Sequence, residues 1–303
     1  VFLIGHSSDF GRWKTWHFNG AKWNDLTSVY FEVFPGPPWY WHVPLALTGF
    51  SSGDVWIAGR YDSTEIWGEA YRGYVQHRKP NGQWEGFRIP GALSLFAIGG
   101  NSSSDLWVGG LFGQTFHYDG SSWVERRIAD SAMIVYIRTG PDGTVYASGW
   151  GKVGSGIEVQ YFRWSGTQWE KIEERMSMNG GLGPEAGISF DVLGDGSLYS
   201  ATGSYISRRV AQGAWTALYQ DPATNLFSVA SSGGYAFAFG RMRDGSEAAY
   251  FHDGARWGRI NALREPESEV WYVWSSSTSS FFSGIESSTH GTLFPRTYII
   301  RGK

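Results

Sequence analysis

The stretch "SSGDVWIAG" (51–59) returns almost unchanged as "SSSDLWVGG" (102–110). Looser copies follow as "GPDGTVYASG" (140–149), "GDGSLYSATG" (194–203), "SSGGYAFAFG" (231–240) and "SSSTSSFFSG" (275–284), and the opening "VFLIG" reads as a further copy cut at its start. Self-similarity at a period of roughly 20–50 residues decides the architecture before any single element does, because each repeat is one supersecondary unit. Each copy is a Ser/Gly/Asp turn leading into alternating apolar residues, which is the pattern of a hairpin entering a strand.

A second element follows each of the first six copies: an aromatic strand, a Gly turn and a tryptophan. It reads "WHFNGAKW" (16–23), "HRKPNGQW" (77–84), "FHYDGSSW" (116–123), "FRWSGTQW" (162–169), "RRVAQGAW" (208–215) and "YFHDGARW" (250–257). The tryptophans Trp23, Trp84, Trp123, Trp169, Trp215 and Trp257 recur about every 47 residues, close to the period of a four-stranded unit. A short apolar run precedes most of the "DVW" strands, as in "LSLFAIGG" (93–100), "MIVYIRTG" (133–140), "ISFDVLG" (188–194) and "EVWYVWSS" (269–276). One unit is therefore strand A, tight turn, strand B, loop, strand C, Gly turn, and strand D opened by Trp. Such units are propeller blades.

The tally gives seven B and seven C strands but six A and six D strands, so the first unit lacks its A strand and the last its D strand. The expected fold is all-β: one domain over 1–303, a seven-bladed β-propeller with incomplete first and last blades, the alternative being six-bladed. The "DVWIAG … FHYDGSSW" unit resembles the blade repeat of bacterial extracellular seven-bladed β-propellers, and the resemblance covers essentially the whole chain. It implies architecture rather than activity, since propellers host lectins, hydrolases, lyases and scaffolds. "DGSSW" and "DGARW" depart from a sialidase Asp-box, in which Asp stands two residues before its Gly; Asp119 and Asp253 directly precede theirs.

Bulk composition narrows the partners. Glycine at 42 of 303 residues and aromatics at 17% favour short strands and turns over helices. A net charge of -3 gives no footprint for a phosphate backbone, which disfavours nucleic acid. No apolar run is long enough for a transmembrane helix. The absence of cysteine excludes disulfides, thiol catalysis and cysteine-bound metal. The setting expected from this composition and from the start at Val1 is that of an exported bacterial protein, extracellular or periplasmic, without intrinsic cofactor or metal.

Blade connectivity sends the A–B and C–D turns to one end of each sheet and the B–C and D–A loops to the other. The first class is short, and the insertions fall in the second: "VYFEVFPGPPWYWHV" (29–43), "RYDSTEIWGEAYRG" (60–73), "GKVGSGIEV" (151–159), "EERMSMNGGLGPEAG" (173–187), "RMRDGSEA" (241–248), "NALREPESE" (261–269) and "ESSTHGTLFPR" (286–296). Long loops in compact domains are usually functional. On them Trp39, Tyr40, Trp41, Trp67 and Tyr71 offer flat surfaces for sugar rings or interface anchors. Arg60, Arg241, Arg243 and Arg264 offer forks for carboxylates or phosphates, and His6, His42 and His290 are the freer histidines. His17 and His117, three residues before a turn glycine, read as structural. The prolines of "FPGPPWYWHVP" (34–44) fix backbone angles, which suits either a preformed aromatic platform or a plug over the first blade.

Two functions follow. The first is a non-enzymatic binding or scaffold module that engages a protein partner or a glycan through the loop-rich end, alone or as a subunit of a larger assembly. The second is a glycosidase or polysaccharide lyase whose acid and base are Glu65 and Glu69, because such chemistry needs two carboxyls roughly 5–10 Å apart. The B–C loops differ from unit to unit, which argues for one asymmetric site over seven equal ones. "NSS" at Asn101 fits a glycosylation sequon inside a turn.

Overall fold

The computed structural model describes residues 2–6, 13–19, 21–29, 33, 41–51, 53–62, 71–129, 132–153, 156–176, 189–210, 213–232, 235–244, 246–253, 255–260, 268–276, 279–286 and 296–302. Within these the protein is all-β apart from a single 3₁₀ turn, Leu111–Gly113, and isolated helical residues. The strands are β1 (Phe2–His6), β2 (Trp13–Phe18) and β3 (Trp23–Asp25) in a first sheet, and β4 (Trp41–Ser51), β5 (Asp54–Asp62), β6 (Tyr71–Arg78) and β7 (Trp84–Arg88) in a second. The third holds β8 (Leu95–Ser102), β9 (Asp105–Gly110), β10 (Thr115–Tyr118) and β11 (Trp123–Glu125), and the fourth β12 (Met133–Thr139), β13 (Val145–Val153), β14 (Gly156–Trp164) and β15 (Trp169–Met176). The fifth holds β16 (Phe190–Val192), β17 (Leu198–Thr202), β18 (Tyr205–Arg209) and β19 (Trp215–Gln220), and the sixth β20 (Thr224–Ser232), β21 (Tyr235–Met242), β22 (Glu247–His252) and β23 (Trp257–Arg259). A last sheet holds β24 (Ser268–Ser276), β25 (Ser279–Glu286) and β26 (Arg296–Gly302).

In every sheet, neighbours in sequence are neighbours in space. The five central sheets carry the A-B-C-D set; the first carries B, C and D, and the last A, B and C. This arrangement of meandering antiparallel sheets is consistent with a β-propeller. The chain divides into two compact units, Val1–Ile137 with Gly149–Gly151 and Phe162–Lys171, and Arg138–Ser148 with Lys152–Tyr161 and Ile172–Lys303.

The quoted repeat explains its own strands. In "DLWVGG" every residue after Asp105 is buried, because a B strand has a neighbouring strand on each side and a neighbouring sheet on each face. The outer D strands are by contrast largely exposed beyond their Trp, as in Trp123–Glu125 and Trp257–Arg259. The glycine that ends the motif is steric. A β-bulge in the A strand, between Pro44 and Ala46 or Leu95 and Ala97, presses a carbonyl onto the B strand. A Cβ at Gly59, Gly110, Gly149 or Gly240 would collide with the carbonyl oxygen of Val43, Ser94, Met133 or Asn225 respectively.

In the first unit, Trp56, Val75, Leu95, Ile98, Leu106, Val108 and Phe116 form one core between the second and third sheets, with Phe87 and Trp123 packed against it. In the second unit, Tyr199, Ile206, Leu226, Val229, Ala238 and Tyr250 do the same between the fifth and sixth, with Trp257 at the margin. Three of the D-strand tryptophans meet an aromatic of the preceding sheet nearly edge-on. Trp123 lies on Trp56 at 6.4 Å and 74°, Trp169 on Trp107 at 5.3 Å and 78°, and Trp257 on Tyr199 at 6.1 Å and 64°.

Several loops read from the sequence are strand. β4 starts at Trp41 and runs through His42 and Pro44, so the Pro-rich connection ends earlier than "VYFEVFPGPPWYWHV" implied. Pro44 is accommodated because it stands at the bulge. Arg60 and Tyr71 likewise belong to β5 and β6, Arg241 to β21, and 173–176 to β15. The connections around 151–159 and 241–248 shrink to tight hairpins, since their polar residues sit on strand faces.

Candidate functional site

The B–C and D–A end of the second sheet groups several chemically versatile side chains. Register places His42 opposite Tyr61 and Tyr61 opposite Arg72, and one step inward Pro44, Gly59, Tyr74 and Arg88 follow one another across four strands. Opposed residues share a face. His42 therefore meets Tyr61 at 5.8 Å and Tyr74 edge-on at 5.4 Å, while the Arg88 guanidinium lies 5.7 Å above the Tyr61 ring. Gly59 makes the grouping possible, because a side chain there would lie 2.9 Å from the Tyr74 hydroxyl. Tyr74 is buried beneath Tyr61 and Val33. The result is a half-buried aromatic surface with a cation over it, rigidly mounted on strands.

Of the residues singled out from the sequence, His42 belongs to this surface. Arg60 is one position out of phase, and its neighbour in register, Gly73, abuts Leu93 and Leu95 on the opposite face. Trp41 and Tyr71 are strand residues at the same end of the sheet. Arg241 and Arg243 belong to the second unit, at the β21–β22 turn. Trp39, Tyr40, Glu65, Trp67, Glu69, Arg264 and His290 lie outside the described residues. Sequence reading missed Tyr61, Tyr74 and Arg88. The signal was there in period-two alternation, since Tyr61 and Tyr74 are on the Gly59 face.

At the opposite end, a hydrogen-bonded chain joins the second and third sheets. Asp54 Oδ2 accepts from Ser103 Oγ at 2.5 Å, Asp54 Oδ1 lies 2.9 Å from His77 Nε2, and His77 Nδ1 lies 2.9 Å from Glu85, which also holds Lys79 at 2.6 Å. Trp56 Nε1 donates to Ser103 Oγ at 3.1 Å and stacks on the His77 ring at 3.9 Å. Burial pushes the Glu85 carboxyl up, but hydrogen bonds from Lys79 and His77 outweigh it and leave the group below its ordinary value. A serine, an aspartate and a histidine are thus together, in the wrong order for nucleophilic catalysis. The carboxylate sits between hydroxyl and imidazole, so the histidine cannot take the serine proton directly.

His77 stands directly opposite Trp56, and the pairing recurs. Trp107 faces His117 at 4.4 Å, Phe2 faces His17 at 4.4 Å, Tyr199 faces Arg208, and Phe237 faces Phe251 at 5.0 Å. His117 also meets Asp105 at 2.8 Å. His17 and His117 are structural, as expected; His77, equivalent to them, escaped notice because its hairpin turn is longer.

In the second unit, Asp191 on β16 is held by the Ser231 backbone N–H at 2.6 Å and its hydroxyl at 2.8 Å, with Arg138 at 3.9 Å. Burial raises its pKa, opposed by Arg138 and the Ser231 bonds. With its oxygens occupied by neighbouring inner strands, this carboxylate is a clamp between sheets.

No family model matches the chain, and no curated protein matches it in sequence. Its fold is nevertheless shared. A structure described as "YCF48 bound to D1 peptide" aligns over 99% of this chain and 86% of its own at 14% identity and a TM-score of 0.64. A chain of the "Crystal Structure of Mitotic Checkpoint Complex" aligns over 94% of this one and 83% of its own at 11% identity and a TM-score of 0.62. A protein from Lactobacillus plantarum aligns over 100% of this chain and 99% of its own at 9% identity and a TM-score of 0.57. At such identities the likeness concerns fold alone, and the fold shared is of β-propeller type.

Proposed function

We propose that the chain is a seven-bladed β-propeller that works as a non-enzymatic binding module, engaging a protein partner through the B–C and D–A end of its sheets. The observation that carries the reading is the grouping of His42, Tyr61 and Arg88 over the buried Tyr74, an aromatic and cationic combination of the kind that anchors interfaces. Seven sheets, five of them with the full A-to-D order, support the blade number. Structural neighbours described as bound to a peptide and as part of a checkpoint complex support a protein partner over a small-molecule reaction. Export from a bacterial cell is part of the proposal and rests on composition and on the repeat resemblance.

The test is co-purification from the native host with affinity-tagged wild type and with Tyr61→Ala/Arg88→Ala. A protein that stays stoichiometric with the wild type through gel filtration and is lost from the variant is the expected result. Retention of glycan on an array with no protein partner would replace it with a lectin reading.

A further inference from the structure

Outside the surface just described, one residue breaks two rules at once. Phe112, in the 3₁₀ turn between β9 and β10, is 58% exposed and has φ 55 and ψ 37, the left-handed region that L side chains avoid; it is the one non-glycine with positive φ among the described residues. Nothing in folding rewards an exposed ring in a strained backbone.

The turn is not loose. Gly110 N–H donates to Gln114 O, Gly113 N–H to Ala132 O and Ile128 N–H to Gly113 O. The buried Gln114 side chain accepts from Leu93 N–H at 3.0 Å and donates to Gly91 O at 2.8 Å, fixing the turn to the connection entering the third sheet. Arg127 Nη1 donates to the Phe112 carbonyl at 3.1 Å, while its Nε and Nη2 face Glu125 Oε1 at 2.9 and 2.7 Å. Two of its five N–H groups remain for another acceptor. Arg126, alongside and exposed, makes no side-chain ion pair with a described residue. The run Glu125–Arg127 carries one net positive charge.

We propose that Phe112 and Arg127 form an anchor for an acidic segment of a partner protein: an aliphatic or aromatic side chain packs on the Phe112 ring, and a neighbouring carboxylate takes the remaining Arg127 donors. The anchor rests on the binding-module reading and names the chemistry of its partner. Charge complementarity and the fixed, projecting ring select this occupant over a basic or polar one.

The test selects a phage-displayed library of random short peptides on the wild-type chain, and measures labelled synthetic versions of the winners on variants. The expected winners carry Asp or Glu beside an apolar residue. Phe112→Gly relieves the backbone and removes the ring, so its Tm stays equal or rises while affinity falls at least tenfold. Arg127→Lys weakens binding less, and Asp119→Asn, at the other end of the sheet, leaves it unchanged. Winners that bind Phe112→Gly as well as wild type, or that lack acidic residues, overturn the anchor. If those same winners are lost on Tyr61→Ala, the binding-module reading survives without it; no enrichment at all overturns both.

Discussion

At the residue scale, Trp169 and Trp123 occupy equivalent positions with unequal partners. Trp169 Nε1 donates to Thr115 Oγ1 of the preceding sheet at 2.9 Å. The residue of the second sheet equivalent to Thr115 is Val75, which has no acceptor to offer, and Trp123 Nε1 is buried without one among the described residues. Leaving a buried donor unpaired costs about 1–3 kcal/mol, and a typical net hydrogen bond contributes about 1 kcal/mol. Thr115→Val is therefore expected to destabilise by about 1–3 kcal/mol, and Val75→Thr to stabilise by up to about 1 kcal/mol, each read from urea midpoints. A destabilised Val75→Thr would show that the new hydroxyl finds no indole. Neither effect was legible in the sequence, where both tryptophans read alike; the difference lies in the strand of the neighbouring sheet.

At the element scale, the A–B hairpin is governed by the bulge and the glycine beneath it. Gly59→Ala and Gly110→Ala drive a methyl into a backbone carbonyl oxygen that the bulge presses against the B strand, so each is expected to cost about 1–3 kcal/mol. Gly194→Ala is the control: a Cβ there meets nothing within 4 Å, and the expected change is neutral or slightly stabilising. Equal thermal shifts in all three would refute the steric account. The copies that announced the repeat, "DVWIAG" and "DLWVGG", carried this glycine in view, but its reason is a carbonyl on another strand. Element ends were harder to read. Pro44 signals a loop in one dimension, yet a bulge admits it to a strand, and Phe112 looks like an ordinary residue between turn-forming Leu111 and Gly113. Its conformation is invisible until the hydrogen bond from Gly113 N–H to Ala132 O and that from Arg127 to the Phe112 carbonyl are known.

At the scale of the whole molecule, acid stability is set by hairpin turns. Asp119, Asp195 and Asp244 are held below the ordinary carboxylate value chiefly by the hydroxyls of Ser121, Ser197 and Ser246, and Asp142 and Asp253 chiefly by the backbone N–H groups of Thr144 and Arg256. A carboxyl depressed on folding contributes stability above its unfolded pKa and loses it as pH falls through the folded one. Asp191, raised by burial, has the opposite sign but is a single group. Urea midpoints are expected to decline slightly from about pH 6.5, where His17, held down by burial, is protonated more readily in the unfolded chain, and to fall steadily below about pH 4. Salt should change this little, because hydrogen bonds rather than ion pairs lower these groups. A midpoint that holds or rises on acidification would contradict it.

The strand tally, including the incomplete first and last sheets, was legible because Trp and Gly punctuate the first six units. The aromatic surface at His42 was half legible, since its members are scattered over four strands and meet only through register. The pairs that face one another across B and C strands also have a bearing on how the chain avoids mistakes. They are Phe with His, Trp with His twice, Tyr with Arg, and Phe with Phe, and the Asp54–Ser103 bond needs the third sheet beside the second. A chain of near-identical repeats is prone to dock out of order or with another molecule's repeat. Because most of these pairs differ from one sheet to another, divergence among the copies works against docking out of order.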